Sequence, residues 1–240
     1  MSNPLHQFEV QSIIPIEFNG VNLSFTNASL FMALSAFCGI CIMWLLLRKQ
    51  RLVPSTAQSV GEYTFGFIKN IAKDGIGDGY EKFIPFIFCV FLMIFCGNFL
   101  GLFPYSFTYT SQLAPVGAFA LLGLIINVVA GIKSQGLSWF RTFLPSGIPV
   151  FMAPLIVPIE IFSMIVKPFS LTVRLVMNMI VGHILLKTIA GFVYSLGLAG
   201  VLPLFIVGVL LLFETFIAFL QAYIFTLLTS LYIGQAIHAH

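Results

Sequence analysis

Charge is what this sequence has least of. Of its 240 residues, eleven are Lys or Arg and eight are Asp or Glu, 8% in all, where an average soluble domain carries about 25%. So few charges cannot cover the surface of a soluble domain of this length, and the mean hydropathy is +1.05. A cytosolic globular enzyme, a nucleic-acid binder and a disordered chain are excluded. The net charge of +3 is too small and too scattered to call for a polyanionic partner, so no nucleic acid is expected. The alternation of polar and apolar residues that marks a transmembrane barrel is also missing, because the apolar runs are continuous. What remains is an all-α polytopic membrane protein, a single membrane domain over residues 1–240, with about five to six membrane helices.

Cysteine is scarce as well. Cys38, Cys41, Cys89 and Cys96 all lie inside apolar runs. Cys38 and Cys41 form a C-x-x-C, a spacing used by redox and metal sites, but no acid or His cluster stands near them in sequence. Small buried residues in lipid-embedded helices are the plainer reading, and no metal or cofactor is expected. The first 22 residues lack a basic stretch followed by an apolar one, so no cleavable leader is expected. Asn22 and Asn27 each open a glycosylation sequon of the kind that chance often supplies. A Walker motif is missing too. Gly75-Ile-Gly77-Asp-Gly79 has neither a preceding strand nor a following Lys-Ser/Thr, and reads as a flexible turn.

A spanning helix needs about 20 mostly apolar residues. After an N-terminal segment over 1–27, the first span covers 28–47 and ends at Arg48, Lys49 and Arg51. The positive-inside rule puts that end on the cytoplasmic or matrix side and the N-terminus opposite. Residues 54–82 are less apolar and read as a surface amphipathic segment. From 83 to 132 no Asp, Glu, Lys or Arg occurs. The polar stretch 104–112 divides this run into two spans and is expected on the outer side, with Lys133 and Arg141 inside. Residues 143–236 then hold a re-entrant or tilted entry, broken by Pro145, Pro149, Pro154 and Pro158 up to Met164, and a long helical hairpin turning near Leu198. Its arms, about 157–192 and 202–236, would each reach roughly 50 Å, so they should be strongly tilted or broken. The C-terminus falls inside.

Five charges lie in this apolar last third: Glu160, Lys167, Arg174, Lys187 and Glu214. A charged side chain at a helix centre costs about 2.5–3.5 kcal/mol on insertion scales, so each needs a use or a partner. At about 100° per residue, Glu160, Lys167, Arg174 and Asn178 fall on one stripe, and Glu214, Gln221 and Tyr232 fall on another on the last helix. His183 points away from the first stripe. With the turn near Leu198, His183 stands level with Glu214, and Asn178 roughly level with Gln221, so the His and the acid can meet. Such a pair is either a structural ion pair or a proton relay, the role that intramembrane Glu and His commonly mark. Lys167 and Lys187 can snorkel, Gln221 can tie helices together, and Glu160 can neutralise Lys167. Arg174 has no acid within one helical turn and is read as functional.

The run Lys167-Pro-Phe-Ser-Leu-Thr-Val-Arg174-Leu-Val-Met-Asn178-Met-Ile-Val-Gly182-His183 resembles the signature S-L-x-x-R-L-x-x-N-M-x-x-G of the a subunit (subunit 6) of F-type ATP synthases. Gly97-Asn98-Phe-Leu-Gly101-Leu-Phe-Pro104-Tyr-Ser-Phe-Thr is similar to that family's N-x-x-G-x-x-P-Y-S-F-T, and Leu220-Gln221-Ala-Tyr-Ile-Phe-Thr226 to its L-Q-A-Y-I-F-T. The resemblance covers nearly the whole chain. It implies the stator half of a rotary proton channel, with a ring of c subunits, peripheral-stalk b-type subunits and other Fo subunits as partners, protons as cargo and a lipid bilayer as surroundings. It implies that Arg174 is an essential arginine facing the c-ring and separating two half-channels. Asn178, His183, Glu214 and Gln221 would lie on the entry path and Glu160 on the path to the opposite side, with Asn98 and Tyr232 as further polar positions. Val181 and Met177 depart from the family by adding bulk beside the arginine stripe.

A fixed cation in mid-membrane favours the ionised form of a passing rotor carboxylate and blocks protons from crossing directly, so each proton must ride the rotor. The chain would then be no enzyme in itself, ATP chemistry belonging to its partners. A proton-coupled secondary transporter is the alternative, suited by broken helices and midplane charges, although no duplicated half is present; a purely structural anchor is disfavoured by Arg174. The His-then-Glu order resembles mitochondrial and α-proteobacterial members. With the Phe-rich composition it leans towards the mitochondrial inner membrane, with the bacterial plasma membrane as the alternative. The N-terminus would face the intermembrane space or periplasm and the C-terminus the matrix or cytoplasm.

Overall fold

The computed structural model describes residues 8–15, 17, 18, 21, 22, 24–48, 51–103, 106–143, 150–195 and 200–238. Among the described residues six α-helices carry the fold: α1 Asn27–Leu47, α2 Thr56–Ile76, α3 Ile84–Gly101, α4 Leu113–Gln135, α5 Ala153–Ser195 and α6 Val201–Ile237. All but α2 are long and apolar enough to cross a membrane. Their exteriors are hydrophobic, with Ile40 on α1 67% exposed and Leu212 on α6 75% exposed, as expected where lipid is the solvent. The N-terminal segment adds two small antiparallel ladders. Strand β1, Ser12–Ile14, pairs with β4, Phe25–Thr26, while β2, Glu17–Phe18, pairs with β3, Val21–Asn22.

Local chemistry sets the helix ends. Thr26 caps α1 in a reciprocal box with Ser29, and the Ser55 hydroxyl accepts from the Gln58 amide at the start of α2; both satisfy amides that have no intrahelical partner. Gly77, at φ +77°, ends α2, and Gly136, at φ +61°, follows α4, a region that a side chain disfavours. Gly75 differs from the expectation of a flexible turn. It lies inside α2, where a Cβ would meet the Ser230 side chain of α6 at 2.7 Å. Small residues let the two backbones approach.

Helix α6 is the centre of the bundle and packs on α2, α3, α4 and α5. Its buried side runs through Glu214, Ala218, Ala222, Phe225, Thr229 and Ile233, the three- and four-residue spacing of one helical face. Helix α2 is more than a surface segment. Its Ile68 and Ala72 are fully buried, and it touches α1, α3 and α6.

The expected re-entrant entry is not a separate element. From Ala153 its residues form the first turns of α5, one helix of 43 residues, which at 1.5 Å per residue is about 65 Å long. Pro158 and Pro168 sit inside it, and each removes one rung of the hydrogen-bond ladder without ending the helix. Pro145, Pro149 and the turn position Leu198 lie outside the described residues, as do Lys49, Pro104 and Tyr105.

Hydrogen bonds fix both ends of the bundle. At one end Gln112 donates to the Phe8 carbonyl at 2.8 Å. At the other, Gln135 donates to the Ile237 carbonyl at 3.0 Å, and the His238 ring bonds the Ile76 carbonyl at 2.9 Å. The N-terminal segment therefore shares an end with the α3–α4 connection, and the C-terminus shares the opposite end with the close of α2 and α4.

Candidate functional site

The α5–α6 hairpin carries nearly all of the polar groups singled out above, and the structure sorts them into two sets. In the first, the His183 Nδ1 lies 3.5 Å from the Glu214 Oε1, and both side chains are buried. Neither Glu214 oxygen has a hydrogen-bond partner among the described residues. A buried carboxyl in that state is costly as a fixed charge. Gly182 makes room for it, because a Cβ there would stand 2.7 Å from Oε1. A cavity of about 150 Å³ reaches this acid between Asn178, Gly182 and Leu210, room enough for water.

Several neighbours frame this pair. Asn98 of α3 is fully buried and donates to the Ala218 carbonyl at 3.1 Å, one turn from Glu214, leaving its Oδ1 unpartnered among the described residues. Gln221, two turns beyond Glu214, is buried on the same side of α6. Asn178 is half-buried at the cleft wall.

The second set stays open. Arg174 is exposed on α5 and has no ion pair among the described residues. It lines a cleft with Ser170, Lys167, Leu228 and Tyr232. Lys167 and Tyr232 also border a second hollow, lined besides by Glu160, Asn127, Trp139 and Gln235. The hollow at Glu160 and the cleft at Arg174 thus share Lys167, Leu171 and Tyr232 in their walls. Lys167 stands with its Nζ 5.3 Å from the centre of the Tyr232 ring, a cation–π distance, and makes no ion pair with Glu160 among the described residues. Simple neutralisation of Glu160 by Lys167 is thus not what the geometry offers. Met177 and Val181 are 52% and 56% exposed on α5, and Val181 also lines the cleft that reaches Glu214.

Some residues of the site were not legible in the sequence. The stretch 104–112 reads as an outer turn, yet Thr108, Tyr109, Thr110 and Ser111 are buried. The Thr108 hydroxyl lies 3.2 Å from the His183 Nε2, and the Phe8 ring packs obliquely on His183 at 6.3 Å. Five hydroxyl-bearing residues within six positions, flanked by apolar spans, were the available signal. Asn127, whose buried Oδ1 has no partner among the described residues, carried none.

Comparison with known proteins decides the family. The model of the family described as ATP synthase A chain matches residues 29–234. The chain belongs to that family. It is 45% identical over 246 residues to the ATP synthase subunit a of Rhizobium etli strain CIAT 652, covering 99% of this chain and 98% of the relative. The protein of the same name from Rhodospirillum rubrum is 42% identical over 241 residues, the whole of both chains, and that of Maricaulis maris strain MCS10 is 41% identical over 252 residues. These relatives of the family member described here are bacterial, so they lend no support to a mitochondrial origin.

Proposed function

We propose that this chain is the proton-conducting stator subunit of the Fo sector of an F-type ATP synthase. Two offset half-channels would carry protons to and from the carboxylates of a c-ring, and Arg174 would prevent a short circuit between them. One observation carries this reading: separate clefts are lined by α5 residues on the two sides of Arg174. The one lined by Asn178 and Glu214 does not include Arg174, and the one reaching from Glu160 does not include Asn178. Arg174 and Asn178 are one helical turn apart, about 6 Å along the axis. A proton arriving by one cleft would therefore need a mobile carrier to leave by the other. The exposed guanidinium supplies the electrostatic reason for that carrier to release its proton as it passes.

In this reading His183, Glu214, Asn98 and Gln221 serve the entry path, and Glu160 and Tyr232 the exit path. The protein works in the plasma membrane of a bacterium, with the N-terminus periplasmic and the C-terminus cytoplasmic; in a mitochondrion the same topology would face the intermembrane space and matrix. The basic cluster after α1 supports that orientation. A c-ring, b-type stalk subunits and other Fo subunits are its partners, and nucleotide chemistry lies with the catalytic sector.

Substituting Arg174→Lys tests the proposal. Lysine keeps the charge but is a compact, strongly hydrated ammonium that loses its proton readily in apolar surroundings, whereas guanidinium stays charged. Membranes carrying assembled Arg174→Lys complex should lose ATP-driven proton pumping. Pumping at the unsubstituted rate would overturn the role of Arg174.

A further inference from the structure

We propose that Thr108 is the positioning residue of the His183–Glu214 pair: its hydroxyl holds the proton on Nε2, leaving Nδ1 as the nitrogen that exchanges with the acid. This rests on the proton-path reading above and adds to it a residue from a different part of the chain. The imidazole has a partner at each nitrogen, Glu214 Oε1 at 3.5 Å from Nδ1 and Thr108 Oγ1 at 3.2 Å from Nε2. The threonine is itself held. Its carbonyl accepts from the Ser111 hydroxyl at 2.6 Å and the Ser111 amide at 3.1 Å, and it fills the space left by the missing Cβ of Gly101. Its Oγ1 lies 3.5 Å from the Gly101 carbonyl, which also accepts the Ser106 hydroxyl at 3.1 Å, a long contact towards which the threonine hydroxyl proton can turn.

That arrangement directs the hydroxyl. With its own proton turned to Gly101, Oγ1 presents lone pairs to Nε2, so Nε2–H donates to Thr108. Starting from an imidazolium facing a carboxylate, the Nδ1–H bond breaks and the Oε1–H bond forms. The ring goes from +1 to neutral and Glu214 from −1 to neutral. Nε2–H stays bonded to Thr108 before and after the transfer, so the ring need not turn. Which imidazole nitrogen carries a proton is commonly fixed by the hydrogen bond that the other nitrogen makes. Nothing else described approaches Nε2 with a polar atom; the remaining close neighbour is the Phe8 ring.

The test uses the intact synthase in inverted membrane vesicles and reads ATP-driven acidification per assembled complex. Thr108→Val keeps the shape but leaves a buried Nε2–H unpaired, and pumping should fall roughly tenfold. Thr108→Ser restores the hydroxyl and should retain at least about half of the unsubstituted rate. If the valine variant does not assemble, Thr108→Ala takes its place with the same expected loss. Unchanged pumping in the valine or alanine variant, or equal loss in the serine variant, overturns the inference. Glu214→Gln is run alongside. If it pumps normally, the proton-path reading fails and the inference with it; if it is impaired while Thr108→Val is not, the inference alone fails.

Discussion

The two polar sets on the α5–α6 hairpin solve the same electrostatic problem in opposite ways. His183 and Glu214 are buried against each other, framed by α3 and by the connection that follows it. Glu160, Lys167 and Arg174 sit on an open face, and none of the three makes an ion pair among the described residues. A buried pair is expensive to form and is strongly weakened when one member is removed, so its geometry is built into this chain alone. An exposed guanidinium on an apolar exterior is expensive in lipid, by about 2.5–3.5 kcal/mol on insertion scales, unless a partner's anion meets it. One set is therefore complete within the chain, and the other is arranged for something that comes from outside.

Removing the unpartnered charge is the strongest way to break that contrast. With the catalytic sector attached and inhibited, so that the rotor is locked, unsubstituted membranes should hold a proton gradient. Arg174→Ala should let it collapse, because the barrier between the two clefts is gone. A gradient held as tightly as in unsubstituted membranes would mean that the separation lies in packing rather than in the arginine. The effect should be complete, since no second described cation lies nearer the gap between the clefts.

Exchanging the members of the buried pair should have a smaller, conditional effect. His183→Glu alone puts two acids side by side that resist both being ionised, and Glu214→His alone leaves two imidazoles without an anion. The double exchange restores one acid and one base at the same depth. It should recover substantially more ATP-driven acidification than either single variant, as coupled neighbours do. A double variant no better than the worse single one would show that the 3.5 Å contact is incidental to transport.

Much of this contrast could be read from the sequence, and the reason is periodicity. Glu160, Lys167 and Arg174 recur every seven residues, close to two helical turns, and an antiparallel hairpin places residues equidistant from its turn at one depth. Those two rules put Arg174 on one stripe with Glu160 and Lys167, and His183 beside Glu214; that Arg174 faces outward follows only from the family resemblance. They are silent on contacts between segments with no shared period. Thr108 and Phe8 are 75 and 175 positions from His183, and their approach depends on how α3, α4 and the N-terminal segment pack. The same limit explains the re-entrant segment expected before Met164: four prolines argue locally for a break, whereas packing of α5 against α4 and α6 carries one helix through Pro158 and Pro168.

The smallest expected effect sharpens the comparison from the open side. Glu160 is fourteen residues from Arg174, roughly 21 Å along α5, and it borders a hollow together with Asn127, Gln235 and Tyr232. That hollow is wide enough for several waters, each taking about 30 Å³. Where water can bridge the gap, one carboxylate is a convenience rather than an obligatory step, because a neutral polar group still hydrogen-bonds the chain of waters. Glu160→Gln should accordingly slow ATP-driven acidification only several-fold in assembled complex, well short of the loss at Arg174. A Glu160→Ala variant, which removes the polar group altogether, should be slower still. If Glu160→Gln abolishes transport with the complex intact, the open set contains an obligatory proton carrier after all, and the contrast between a buried relay on one side and a wet path on the other no longer stands.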